Sequence, residues 1–400
     1  MVAILGSTVK QLPDMLGQDP AANAKLHTEL RPPPAAASCT ITVIMPAYNS
    51  SSYIERSLSP LLGMKHRGEI LEVIVVDDGS TDETREIATS RGASVISTGG
   101  RRGPAAARNL GAGHAGGDVL WFVDSDFVAR SDAARQLRGA LASHDVVAVF
   151  GSYDECPEAR NFFSQYKNLL HHHHHHQSRG EVTTFWAGCG GVWRERFWAE
   201  HGFDANRYPR PSIEDIEFGY RLSADGGRIR VVPELQGTHL KTWTLSSVLK
   251  TDLRDRAIPW AQLLLNREGP GDVLNVGLTE RIRALIASLC AFCLAVSLAM
   301  PTLWWLPAML LLCAYTANLE LFMLFRRRNG MLFALGGLLF HQFYYLYSAL
   351  IYSTCWIIQK SLRFAHVKNG LQLECQLGRA GRCRHAIAVP ERSRNVRKYP

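Results

Sequence analysis

Between residues 40 and 150, apolar runs of strand length alternate with polar loops and helix-like stretches; beyond residue 284 the apolar stretches become much longer. Residues 41–45 and 70–76 are β-branched runs. Each is closed by turn chemistry: Pro46-Ala47-Tyr48-Asn49 after the first, Asp77-Asp78-Gly79-Ser80 after the second. Ser52 with Glu55, and Ser80 with Glu83, have capping-box spacing, which predicts that each strand runs through its loop into a helix N-terminus. Residues 93–97 read as a third strand. Gly99, Gly100 and Gly103 loosen the loop that follows, and Pro104 suits the first position of a helix reaching Ala115. A strand at 119–123, a helix at 131–143 and a strand at 146–150 complete the series. Strands alternating with helices predict an α/β fold, a doubly wound parallel sheet with a crevice at its carboxyl edge.

Candidate chemistry sits at one such edge. Asp124-Ser125-Asp126 follows directly on the run 119–123. Two carboxylates one residue apart can share a divalent cation, and Mg²⁺ is commonly held by one or two carboxylates plus substrate phosphates. An isolated pair of this kind is more often a solvated turn, so its meaning depends on its surroundings.

Those surroundings resemble a known family. Val43-Ile44-Met45-Pro46-Ala47-Tyr48-Asn49, Val75-Val76-Asp77-Asp78-Gly79-Ser80-Thr81-Asp82, Ala107-Arg108-Asn109 and Asp124-Ser125-Asp126 together look like the nucleotide-binding half of a family 2 glycosyltransferase with the GT-A fold. The resemblance implies inverting transfer of a sugar from a nucleotide-diphosphate sugar, with Mg²⁺ or Mn²⁺ held at Asp124 and Asp126. It also places Pro46 in the nucleotide-sugar site. Tyr48 offers a flat face for base stacking and Asp78 an acceptor for the base's ring N–H, while Arg108 could approach the phosphates or ribose. Taken alone, Tyr48 would read as a packed strand-end aromatic and Arg108 as a solvated helix residue.

Further along, Ile213-Glu214-Asp215-Ile216-Glu217-Phe218-Gly219-Tyr220-Arg221-Leu222 resembles the family's Glu-Asp segment, which implies that Asp215 deprotonates the acceptor hydroxyl, with Glu214 beside it. An ordinary acidic first helical turn is the competing reading. Phe185-Trp186-Ala187-Gly188-Cys189-Gly190-Gly191 suits a loop whose backbone comes close to a ligand, making Trp186 and Gly188 candidate pocket residues, with core packing nearly as good an account. Cys189 reads as a small buried residue. Residues 161–170 form an amphipathic helical pattern carrying six histidines, 171–176; a polar exposed helix end is preferred over a dedicated metal site.

Composition places this chemistry at a membrane. Residues 284–300, 306–325 and 331–358 are apolar stretches of spanning length, Trp304 and Trp305 suit an interface, and Arg326-Arg327-Arg328 suit a cytoplasmic turn. The expected organisation is a loose leader at 1–38, a GT-A domain at 39–240, amphipathic interface helices at 241–280, a transmembrane region of about three segments at 281–358, and a basic tail at 359–400. That layout implies a multi-pass protein of a bacterial inner membrane with a cytoplasmic catalytic domain. No apolar segment opens the chain, so no secretory signal is expected. Residues 242–267 are amphipathic and fit either a membrane surface or a bundle helix. The formal charge of +8 resides in the tail, which favours the cytoplasm. Three full spans would place it opposite the catalytic domain; either 331–358 is re-entrant or split at Gly336-Gly337 and His341-Gln342, or the tail is tolerated outside, since only Lys360, Arg363 and Lys368 fall close to the membrane. Nine cysteines without zinc spacing fit a reduced compartment. No nucleic-acid motif accompanies the charge, so nucleic acid is not an expected partner.

Departures from relatives narrow the reaction. The Gln-X-X-Arg-Trp segment of processive members such as cellulose, chitin and hyaluronan synthases is missing, which favours transfer of one sugar to a lipid-linked or cell-surface glycan acceptor, with membrane lipids as further partners. Polyprenyl-phosphate sugar synthases usually carry a Glu soon after the first Asn, where this chain has Asn49-Ser50-Ser51; that activity is the runner-up. A non-catalytic sugar-nucleotide- or lipid-binding membrane protein is the alternative from another class, against which the intact acids speak.

Overall fold

The computed structural model describes residues 39–143, 145–266 and 277–383, with side chains as far as 362. The expected leader at 1–38 lies outside these residues, as do residues 384–400 of the expected basic tail. β1 (Ile41–Ala47), β2 (Glu72–Asp77), β3 (Ser94–Ser97) and β4 (Val119–Val123) pair in parallel in the order β3-β2-β1-β4. Their connections are α1 (Ile54–His66), α2 (Thr84–Ser90) and α3 (Pro104–His114). The alternation of side chains along a strand explains why the sheet is covered on both faces. Val43, Met45, Val73, Val75, Trp121 and Val123 bury against α1 and against α4 (Ala133–Ala140). Their neighbours Ile44, Ile74, Val76, Leu120 and Phe122 bury against α3 and a group of phenylalanines, Phe185, Phe197, Phe203 and Phe218.

The sheet departs from the all-parallel expectation beyond β4. β8 (Cys189–Trp193) lies antiparallel between β4 and β6 (Val146–Tyr153), and β9 (Arg228–His239) follows parallel to β6. β5 (Phe127–Ala129) and β7 (Gly180–Val182) both pair antiparallel with β9. The predicted capping boxes do not form either. α1 and α2 begin one or more residues later than their spacing implies and have no side-chain cap. Ser80 instead accepts the Asn49 N–H at 3.0 Å, and Asp82 accepts from Ser51 and Thr84, so the two loops are tied to each other. Pro104 does open its helix.

The histidine run corrects a second expectation. α5 (Phe162–Gln177) carries it inward: His172 and His175 donate ring N–H bonds to the carbonyls of Tyr153 and Gly151, each at 2.8 Å. Burial pushes His173 down to about 4 and His175 to about 3, so both rings are neutral at ordinary pH. This is a packed helix face and not an exposed polar end.

α6 (Arg194–Ala199) and α7 (Glu214–Ala224) lie between β8 and β9, and after β9 come α8 (Leu245–Lys250), a π-helical stretch (Thr251–Ala257) and α9 (Ile258–Leu265). Ala261 of α9 packs on Ile351 and Cys355 of the final helix, with Leu253, Ala257, Ile258 and Leu265 beside it, so the amphipathic segment, as far as it is described, joins the helical bundle. α10 (Leu278–Ala299) is the one described helix that is by itself long and apolar enough to cross a membrane. α11 (Trp305–Ala317) rises only about 20 Å at 1.5 Å per residue, short of a bilayer core of about 30 Å. Only with the helix after it, at a bend of 74°, does it make a second candidate. The three expected segments therefore reduce to one span, or two if the bent pair counts as one. α12 (Leu319–Cys383) is interrupted at Gly330 (φ 83°, ψ 179°) and is helical through Gly336, Gly337, His341 and Gln342, where one of the two alternative topologies required a break. Arg327 and Arg328, just before Gly330, both pair with Glu155 in the sheet-bearing half of the chain.

Candidate active site

The carboxyl ends of β1, β2 and β4 open into a cavity of about 730 Å³ lined by Pro46, Tyr48, Asp78, Arg108, Asp124, Asp126, Trp186, Gly188, Glu214 and Asp215, so every residue singled out from the sequence reaches one space. Ligand crevices form at this edge because the strand-to-helix loops converge there.

Tyr48 stands at the mouth, 37% exposed, with the Arg101 guanidinium 4.1 Å from its ring centroid. Asp78 is buried beneath it. Its carboxylate accepts N–H bonds from Arg102 and Gly103 at 2.8 Å and a hydroxyl bond from Thr98 at 3.0 Å. Asp78 therefore shapes the loop 98–103, and only lone pairs left over from these bonds are free for a ligand. Gly103 is required there: its φ is +91°, and a Cβ would lie 2.5 Å from the Pro209 carbonyl oxygen.

Asp124 begins where β4 ends, and its N–H donates to the Gly188 carbonyl at 3.1 Å. A Cβ at Gly188 would sit 2.5 Å from the Trp186 indole, so only glycine lets that ring fold over the backbone that fixes Asp124. Between them the Ser125 hydroxyl shares a hydrogen bond of 2.8 Å with Ser50, and Asp124, Ser125 and Asp126 all line the cavity. Burial, reinforced by the Asp126 charge, pushes the Asp124 carboxyl up despite Arg108. Burial works against ionisation of Asp126 as well, but His239 and Lys241 outweigh it and hold that carboxyl below its ordinary value.

Arg108, expected to approach phosphates or ribose, is only 5% exposed. Its terminal nitrogens donate to Asp124 and to Glu214, both at 2.8 Å. One guanidinium thus joins the strand-end acid to the first turn of α7. Glu214 is fully engaged by this bond and by the Ser212 N–H, and Glu217 by Arg221. Asp215 differs. Its oxygens accept only backbone N–H bonds, from Ala187 at 3.0 Å and Ile216 at 2.9 Å. Burial and then the adjacent Glu214 push its carboxyl up to about 6. Of the three acids, Asp215 alone combines a cavity position with basicity near neutrality.

Several lining residues escaped the sequence reading. His239, at the end of β9, stacks on Tyr153 at 4.2 Å and brings Nε2 to 3.6 Å from Asp126. His171 lies 4.6 Å from both Tyr153 and Trp186. Lys167, Lys241 and Arg256 line the far side. Their only sequence signal was position at the end of a strand or inside an amphipathic run. Among the described residues, no three His, Cys, Asp or Glu side chains form a metal cage. Two carboxylates with one imidazole nearby fit a hard divalent cation that takes its other oxygens from a substrate. Cys189 is buried, and burial pushes its thiol up to about 12, so it is inert as a nucleophile.

Residues 42–200 match the model of glycosyl transferase family 2. The chain carries a family 2 glycosyltransferase domain. The match ends before Glu214 and Asp215. An uncharacterized glycosyltransferase of Haemophilus influenzae is 36% identical over 122 residues, 29% of this chain and 48% of that protein. A pre-mycofactocin glycosyltransferase of Mycobacterium tuberculosis is 27% identical over 212 residues, 51% of this chain and 43% of that protein. The chain spans about half the length of the curated relatives it matches. A mannosyltransferase from Pyrobaculum calidifontis, solved with GDP-Man and Mn²⁺, superposes with a TM-score of 0.47 at 20% identity, covering 87% of this chain and 92% of its own.

Proposed function

We propose that this glycosyltransferase works at a membrane surface, moving a single sugar from a nucleotide-diphosphate sugar to a hydroxyl of a lipid-linked acceptor, with inversion at the anomeric carbon. The observation that carries this reading is the composition of one cavity. Strand-end acids stand at its nucleotide side, Asp215 in its wall, and Tyr344, Ser348 and Tyr352 of the final helix close it from the side of the apolar bundle.

Tyr48 presents its free ring face to the base, while the Asp78-anchored loop carries Arg101. Asp124 and Asp126, with His239 adjacent, are the residues that would hold Mg²⁺ or Mn²⁺. Such a cation, when bound, neutralises charge on the departing diphosphate. Arg108 keeps Asp124 and α7 in fixed relation. Asp215 takes the proton of the acceptor hydroxyl as the oxygen attacks. Its raised basicity suits that role, and the Ala187 N–H holds the carboxylate in place. Trp186 and His171 offer ring faces to a sugar.

Detergent-solubilised protein incubated with UDP-, GDP- and dTDP-sugars tests the reading. We expect release of nucleoside diphosphate from at least one donor, dependent on Mg²⁺ or Mn²⁺ and stimulated by membrane lipid extract, with product of inverted configuration. Retained configuration, or turnover unaffected by chelation, would overturn it.

A further inference from the structure

We propose that the cavity wall formed by Lys241 and Arg256 is an acceptor subsite that grips a phosphate lying between the reactive hydroxyl and an apolar chain, making the acceptor a phosphate-bearing lipid. The inference rests on the transferase reading and names the class of acceptor. Arg256 comes from the π-helical stretch Thr251–Ala257, a distortion often found at functional sites. Pro259 has no N–H to return to the Asp255 carbonyl, and the Ser212 hydroxyl donates to it instead at 2.8 Å. This bond ties the stretch to the loop just before Glu214 and Asp215.

Arg256 is half-buried and lines the cavity, yet among the described residues it makes no hydrogen bond or ion pair. Its charge acts on Asp215 and Asp252. The acids nearby do not neutralise it. Asp252 is taken by Lys167 at 2.7 Å and by the Tyr347 hydroxyl at 2.8 Å, and Asp255 faces Arg254 at 3.9 Å. Lys241 acts on Asp126 and Asp255 only at a distance and, among the described residues, makes no ion pair with a carboxylate; its ammonium lies 4.3 Å from the Trp243 ring centroid. A half-buried guanidinium without a counter-ion is costly unless an anion completes it, and guanidinium matches phosphate geometry. Beyond the paired Asp252 and Asp255, with Thr251 and Ser348, the residues contributed here by the helices are apolar or aromatic: Trp260, Ala261, Leu264, Tyr344 and Tyr352. Two cations followed by an apolar channel match a phosphate followed by acyl or prenyl chains. The phosphate is not the nucleophile, since Asp215 serves a hydroxyl.

Calorimetry on the full chain in neutral detergent, with short-chain phosphatidylglycerol and the matching diacylglycerol as probes, tests this without turnover. The anionic lipid should bind about 10- to 100-fold more tightly, the range of one or two charge-assisted hydrogen bonds. Arg256→Gln should erase most of that difference and Arg256→Lys should restore part, both with unchanged nucleotide-sugar binding and thermal unfolding, while Lys241→Gln should erase a smaller part. Equal affinity for the two lipids, or a preference that survives Arg256→Gln, would overturn the proposal. Competition by millimolar inorganic phosphate as effective as by the lipid would assign the site to free phosphate and overturn it too. Arg256-dependent lipid binding in a protein that transfers no sugar would sink the transferase reading and leave this subsite standing.

Discussion

The parallel half of the sheet and the helical bundle after residue 278 are built from the same apolar residue types, yet they dispose of them in opposite ways. Along β1, β2 and β4, alternate side chains enter two separate cores, and large exposed hydrophobics between 39 and 266 are limited to Tyr48, Leu71, Trp198 and Leu245. From Leu278 onwards the helices display Leu285, Phe292, Leu298, Leu332, Leu339 and many others to their surroundings. Contiguous apolar surface on this scale needs a partner other than water. The first region buries its own side chains; the second leaves many of them uncovered by the described residues. The two meet at α5, where Tyr166, Leu169 and Leu170 pack on Leu321, Phe322 and Phe325, and at the buried Lys167–Asp252–Tyr347 contact. The cavity lies along this join, which fits an enzyme that takes one substrate from water and the other from lipid.

The comparison can be broken at either end. The largest effect is expected from Asp126→Ala: metal-dependent donor binding should vanish from calorimetry while folding is retained, because the substitution removes one of two strand-end carboxylates. Undiminished Mn²⁺-dependent affinity would move the cation site elsewhere.

Asp215→Asn should follow, lowering transfer by about 10²- to 10⁴-fold with donor affinity near that of the parent protein. The pH profile gives the sign. Asp215 must be ionised to accept a proton, and its carboxyl titrates near 6, so the parent rate should rise through about pH 6 and level off above it. That limb should be missing from the residual rate of Asp215→Asn. A variant with normal turnover under conditions where chemistry limits the rate would disqualify Asp215 as the base.

At the join, Lys167→Met leaves Asp252 buried with Tyr347 as its remaining partner. A loss of about 3–5 kcal/mol is expected in denaturant titrations in detergent, with a smaller loss when Asp252→Asn is added. Equal losses in the two proteins would mean that the ion pair does not link the regions. The smallest effect belongs to the bundle surface. Leu332→Ser, at a side chain 87% exposed, should change stability in detergent by less than about 0.5 kcal/mol, yet weaken partition into liposomes. Unaltered partition would argue that this face does not meet lipid.

Local physics made much of the molecule legible in the amino-acid sequence. Strand-length β-branched runs, turn residues and Pro104 specify β1 to β4 and their helices, because backbone preference and period-two burial act within a few residues of one another. Asp124 and Asp126 were recognisable for the same reason, since adjacent residues at a strand end share a site whatever the rest of the fold does. Tertiary structure alone decided what depends on partners far along the chain. The antiparallel insertion of β8 beside β4 could not be read from its Gly-rich segment, because pairing is chosen by the neighbouring strand. The histidine run looked polar and exposed, and became a packed face because β6 carbonyls accept its ring N–H groups. Arg108 left the solvent for Asp124 and Glu214, a junction spanning more than a hundred residues. Arg256, invisible as a site in an amphipathic run, acquires its meaning from the acids around it being paired with other groups. An unpaired charge is a property of surroundings, and only the folded chain supplies those.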